Sequence, residues 1–147
     1  VRLAREEDVA KIVELLADDF IGSQRERYED PIPSSYMEAF KAIDEDHNNE
    51  LVVACYKNEV VGVLQITYTP QMTYQGGWRA TMEGVMTSSS VRGKGIGSRL
   101  MKWAIERAKE RGCHLAQLTT NKQRPDALRF YERLGFEATH QGLKLDL

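Results

Sequence analysis

The segment Val91–Leu100 reads VRGKGIGSRL and holds three glycines in five residues, Gly93, Gly95 and Gly97, together with the cations Arg92 and Lys94. Glycines at this spacing let a backbone approach a ligand closely, and amides at a helix N-terminus carry partial positive charge. With two full charges added, the chemistry is that of a phosphate or pyrophosphate cradle. The pattern G-x-x-x-x-G-K-[ST] does not fit, because Lys94 lies between the glycines rather than after them. The dinucleotide pattern G-x-G-x-x-G would need glycine where Ser98 stands. The pattern that fits is R-x-x-G-x-G, at Arg92, Gly95 and Gly97. A second stretch, FYERLGFE at Phe130–Glu137, sets two adjacent aromatics on a helix that runs into Gly-Phe. Metal chemistry is not indicated. Cys55 and Cys113 match no ligand spacing and read as reduced thiols, and His47, His114 and His140 are scattered.

Elements to position these groups follow from periodicity. Val9, Ile12, Val13 and Leu16 recur at helical spacing, behind the acidic first turn Glu6–Asp8. Ser35 and Glu38 form an S-x-x-E capping box for a second helix reaching about Asp46. Leu51–Tyr56 and Val60–Thr69 read as a β-hairpin around Lys57-Asn58-Glu59. A loop, Pro70–Gly77, precedes a third long strand, Trp78–Thr87, which leads into the glycine cluster. The next helix carries Ile96, Leu100, Ala104 and Ala108 on one stripe and is capped at Gly112. His114–Thr120 is a strand, Pro125 opens a helix that runs to Leu134, and Phe136–His140 and Leu143–Leu147 are short terminal strands. With Val1–Leu3 as the tail of a first strand, the order is β-α-α-β-β-β-α-β-α-β-β, an α/β (α+β) domain.

The chain of 147 residues is one domain's length, 1–147, with room for a core that needs no disulfide or metal. A net charge of −2 argues against a nucleic-acid partner. No apolar run approaches the roughly 18 residues of a membrane span. No secretory leader is visible, since Val1–Leu16 is already charged, so a cytoplasmic protein is expected.

The two motifs together, separated by the inferred helix and strand, resemble the signatures of the GNAT superfamily of acetyl-CoA-dependent N-acetyltransferases. The inferred element order is similar to the family fold over essentially the whole chain. The resemblance implies a mixed, mostly antiparallel twisted sheet of six to seven strands with about four helices. It also implies a V-shaped cleft between the two central strands, where a bulge that Gly84 would permit splays Trp78–Thr87 from His114–Thr120. Amides of Arg92, Gly93, Lys94, Gly95, Ile96, Gly97 and Ser98 would then hold the pyrophosphate of acetyl-CoA. Backbone groups of Val85, Met86 and Thr87 would pair with its pantetheine arm, and Phe130 and Asn121 would lie along the same cofactor. Arg124 stands where many members carry asparagine.

The implied reaction is transfer of acetyl to a primary amine in a ternary complex. An alkylammonium has a pKa of roughly 10 and must lose a proton before it attacks. Glu83, on the strand before the glycine loop, is the implied base, and Tyr131 is the implied donor to the departing thiolate. A binding module that senses CoA without transfer is the alternative. The acceptor, a small molecule or a peptide amine, would meet two regions. Asp18–Ser34 is acidic on balance, and the other region holds Tyr68, Met72, Tyr74 and Trp78. Relatives often pair, and Tyr74 and Trp78 are the residues that would face a second copy in a homodimer.

Overall fold

The long hairpin organises the molecule. Apolar residues, many β-branched, run continuously through much of both arms, and Lys57 and Asn58 close the turn with φ of 50° and 66°, the left-handed pair that matches the twist of flanking strands. The computed structural model describes all 147 residues. One sheet contains β1 (Arg2–Leu3), β2 (Asn49–Tyr56), β3 (Glu59–Pro70), β4 (Trp78–Thr87) and β5 (Cys113–Leu118), in that spatial order. Neighbours are antiparallel except β4 and β5, which run parallel. A parallel pair needs a crossover. Six helices accompany the sheet: α1 (Val9–Leu16), α2 (Phe20–Arg25), α3 (Ser34–Glu45), α4 (Thr73–Gly76), α5 (Ile96–Glu110) and α6 (Pro125–Arg133). The crossover between β4 and β5 is α5.

The sheet thus has five strands rather than six to seven, and six helices rather than about four. Residues 136–140 and 143–147 join no sheet, although their alternation suits strands. Phe136 instead packs edge-on against the Tyr131 ring, with centroids 6.1 Å apart. The stretch Asp18–Ser34, which has no clear periodicity, still contains α2, because Asp19 caps it by accepting from the Gly22 amide at 2.6 Å. The loop before β4 contains α4, a single turn in which Tyr74 and Gln75 adopt left-handed dihedrals. The Ser35–Glu38 capping box does not form. Helix α3 starts two residues earlier than that box requires, with Pro33 in place of Ser35 as N-cap and no side-chain cap.

Each face of the sheet is covered differently. On one face α5 lays Ile96, Leu100, Met101, Ala104 and Ala108 over Val52, Leu64, Ile66, Ala80 and Met82. On the other, Ile12 and Leu15 of α1 pack on Val53, Val60 and Val63, with Leu51 and Met86 at the margin. Val9 and Val13 join Phe40 of α3 in a smaller cluster on the same side. Buried Glu50 on β2 is satisfied by the Arg107 guanidinium of α5, with contacts at 2.9 and 3.1 Å. No helix is long and apolar enough to cross a membrane.

Candidate active site

Strand β4 changes character halfway along. From Trp78 to Met82 it is paired on both sides, to β3 and to β5, and the last β5 partner is Leu118 opposite Met82. From Glu83 to Thr87 only β3 remains its partner, so its outer backbone edge is free. At the junction Glu83 faces Gln65 and Met86 faces Val63, so Gly84 and Val85 together oppose Leu64. This is a β-bulge, with Gly84 at φ +59°, a conformation that costs glycine little and other residues more. The extra residue resets the side-chain alternation. Met86 therefore lies on the same face as Glu83, against the α1 cluster, while Val85 packs into the α5 cluster. The two strands expected to flank the cleft, β4 and β5, are the last two of the sheet rather than central ones, because no strand follows β5 in the sheet.

The glycine loop sits at the end of this free edge. Gly93 and Gly95 have φ of +79° and +75°, and a Cβ added to either would meet nothing within 4 Å. Gly95 is the N-cap of α5. The Lys94 amide is used by Val91 O at 3.2 Å, but those of Arg92, Gly93, Gly95, Ile96, Gly97 and Ser98 find no backbone acceptor. Six uncommitted donors around a helix N-terminus are of the kind that suits an anion. The Arg92 guanidinium is exposed and free of ion pairs, whereas Lys94 turns its ammonium to 5.1 Å from the Tyr56 ring. That contact lies in a recess of about 280 Å³ between the loop and the hairpin turn.

Phe130 of α6 closes the loop from the side, its ring 3.3 Å from where a Gly97 Cβ would be, with Thr87 also within 3.7 Å of that point. Three of the expected cofactor positions, Thr87, Gly97 and Phe130, therefore converge. Tyr131 packs edge-to-face on Phe130 at 5.1 Å and is 9% exposed. Burial pushes its phenol pKa above the ordinary value of 10, with the Arg124 cation opposing in part, so the hydroxyl keeps its proton at neutral pH. Asn121 is exposed and spends its side-chain oxygen on the Gln123 amide at 2.8 Å, shaping the turn before α6. Arg124, the N-cap of α6, pairs with Asp19 at 2.7 Å and so ties α2 to α6.

Glu83 is exposed on β4, and its carboxylate makes no hydrogen bond or ion pair within the chain. It belongs to a polar track that sequence reading missed. Asn49 accepts from Gln65 at 2.8 Å and Thr67 at 3.2 Å, Gln117 donates to Thr81 at 3.1 Å, and Arg79 donates to Gln117 at 3.1 Å. Gln65, Thr67, Arg79, Thr81 and Glu83 recur at period two along β3 and β4, which was the available signal. Of the four aromatic or sulfur residues expected at the acceptor, Tyr68 is not there. It is 1% exposed in the α5-side core, with Arg111 4.1 Å over its ring. Met72, Tyr74 and Trp78 are exposed, and Tyr74 stacks at 4.7 Å on His114 beside the track. The acidic balance of Asp18–Ser34 is largely neutralised, since Asp19, Glu26 and Glu29 are paired with Arg124, Arg25 and Arg27.

Known proteins share this fold. Residues 9–136 match the family model described as the acetyltransferase (GNAT) family. The aminoalkylphosphonate N-acetyltransferase of Salmonella typhimurium is 32% identical over 106 residues, 72% of this chain and 68% of that protein. Among solved structures, a protein of Bacillus halodurans C-125 described as a transcriptional regulator superposes with a TM-score of 0.97 at 65% identity, over 99% of this chain and 97% of that one. A protein of Clostridium acetobutylicum described as a predicted acetyltransferase, solved with acetyl-CoA, has the same fold at a TM-score of 0.75 and 23% identity, over 99% and 94%. With the family model spanning most of the chain and the glycine loop, bulge and aromatic pair in place, this chain belongs to the GNAT family of acetyltransferases, enzymes that draw their acetyl group from acetyl-CoA.

Proposed function

We propose that residues 1–147 form a single N-acetyltransferase domain that moves an acetyl group from acetyl-CoA to a primary amine by direct attack in a ternary complex. The observation that carries this reading is the junction at Gly84, where β4 loses its outer partner and an unpaired carboxylate stands beside a free backbone edge. Acetyl-CoA supplies an activated thioester, and the residues present suit it. Six unpartnered amides and Arg92 meet a pyrophosphate. The free edge of Val85, Met86 and Thr87 can pair with an amide-bearing arm as another strand would, and Phe130 walls the same path. An amide of this edge near Met86 stabilises negative charge on the thioester oxygen as the amine attacks.

Glu83 and Tyr131 divide the proton transfers. Glu83 lies on the face that carries α1 and the polar track, and takes a proton from the incoming ammonium, directly or through water. Tyr131 belongs to the α5-side cluster, and its retained phenolic proton serves the departing thiolate. The acceptor would lie along the polar track, where Gln117, Thr81 and Arg79 offer hydrogen-bonding groups and Tyr74 a ring. A cationic amine bearing an anionic group would find both Glu83 and Arg79 on one face, which suits the substrate named for the Salmonella relative.

The test is release of CoA thiol from acetyl-CoA with aminoalkylphosphonates, polyamines, amino acids, aminoglycosides, arylalkylamines and lysine peptides in turn. Release with one class confirms transfer and names the acceptor. If acetyl-CoA stabilises the protein against heat yet no amine is acetylated, the reading of a binding module without transfer replaces this one.

A further inference from the structure

Arg79 is a half-buried cation without an anion. Its Nη1 donates to Gln117 Oε1 at 3.1 Å, no carboxylate pairs with it, and its Nε is buried with no partner. Gln117 is itself held, since its Nε2 donates to Thr81 at 3.1 Å. Tyr74 lies over the guanidinium at 5.9 Å and stacks on His114 at 4.7 Å. A Cβ at position 77 would come within 2.6 Å of the His114 ring, so Gly77 makes room for that ring. A planar guanidinium oriented by one amide and otherwise unspent suits a carboxylate or a phosphonate, which it grips through two parallel hydrogen bonds. Leaving such a charge unpaired in a half-buried place is costly, and an anion arriving there removes the cost.

The direction of Arg79 sets a length. Arg79 and Glu83 stand at positions i and i+4 on one face of β4, roughly 13 Å apart at Cα. Arg79 is opposite Leu115, yet its side chain reaches Gln117, the partner of Thr81. Its head group therefore leans toward Glu83 and lies about level with Thr81, roughly 7 Å short of Glu83 along the strand. Resting on the reading of Glu83 as the base that receives the amine, we propose that the acceptor is an ω-amino acid. Its primary amine sits at Glu83, its carboxylate or phosphonate sits on Arg79, and a chain of several methylenes passes over Thr81 between them. An α-amino acid is too short to touch both ends.

The test compares kcat/KM for ω-aminohexanoate, its phosphonate counterpart, glycine and hexylamine. One of the two long anionic amines should exceed both glycine and hexylamine by about ten- to a hundredfold, and which one names the anion. Arg79→Gln should bring that compound down to the level of hexylamine. Arg79→Glu should favour cadaverine, a diamine of similar length, over the amino acid, a reversal that a merely structural role for Arg79 would not produce. Glycine or hexylamine used as well as the long anionic amines by the wild type overturns the proposal and leaves acetyl transfer intact. A preference that survives Arg79→Gln also overturns it, because the anion then binds elsewhere. If no amine is acetylated, the transfer reading fails, and calorimetry in the presence of CoA decides this one. Binding of ω-aminohexanoate that Arg79→Gln abolishes supports it, and no binding overturns it. If the variants do not fold, the wild-type comparison decides alone.

Discussion

The two faces of the central sheet are built from the same strands and do opposite work. Beneath α5, fifteen buried residues form one continuous cluster, with Leu64, Ile66, Leu100, Met101 and Ala104 all wholly enclosed. Beneath α1 the apolar cover stops at Leu51, Val63 and Met86, and the face continues as Asn49, Gln65, Thr67, Thr81, Glu83, Gln117 and Arg79. The closed face fixes the strands, and the open face exposes functional groups at positions the closed face has fixed. A site on rigid strands keeps its geometry without contributing much to stability, because its own side chains are half in water.

Substitutions on the two faces should therefore separate activity from stability. The largest effect is expected from Glu83→Gln on the open face, a loss of about a hundred- to ten-thousand-fold in turnover at neutral pH with the melting temperature unchanged. Activity should recover partly as pH rises and the amine sheds its own proton. A pH–rate profile identical to wild type would remove Glu83 from the reaction. On the closed face, Leu100→Ala should cost about 2–5 kcal/mol in denaturant unfolding, because the buried side chain leaves a cavity. A loss below about 1 kcal/mol would mean that this face is not the close-packed one described.

A smaller, pH-dependent effect is expected where α1 is fastened. Asp8 accepts from Arg2 at 2.7 and 3.0 Å and from the Arg5 amide at 2.7 Å, and the Arg2 hydrogen bonds chiefly hold its carboxyl below the usual range. The folded state binds this proton more weakly than the unfolded state, so the stabilisation is present above about pH 4 and is lost as pH falls through the lower folded value. Asp8→Asn should cost about 1–2 kcal/mol at pH 7, and the gap to wild type should close in acid. An unfolding series that shows a constant gap down to pH 2 would contradict the assignment. The smallest overall effect should come from Gln117→Leu on the open face, a stability change within about 0.5 kcal/mol with a raised KM for the amine and unaltered binding of acetyl-CoA. A raised KM for acetyl-CoA instead would move the acceptor off the polar track.

Several elements were legible because their signals are local. The hairpin, the long helix after the glycines and the Pro125 helix each carry their own periodicity and punctuation, and each lies within a few residues of its expected bounds. The glycine loop was legible because left-handed backbone at Gly93 and Gly95 and a run of uncommitted amides depend on residues adjacent in sequence. Tyr68 was misread for the opposite reason. An aromatic near the end of a strand faces either the core or solvent, and only the packing of α5 and Arg111 decides which.

The sequence by itself thus determined the family, the glycine loop and the strand that carries Glu83, because motifs and periodicity are properties of neighbouring residues. Tertiary structure alone decided where β4 parts from β5, how the Gly84 bulge turns Met86 and Glu83 to one face, and that Asp19 meets Arg124 across more than a hundred residues of chain. It also decided that a leucine-rich segment with the pattern of a strand has no partner in its own sheet. A strand exists only when another strand satisfies its hydrogen bonds, and that pairing is not encoded in the segment itself.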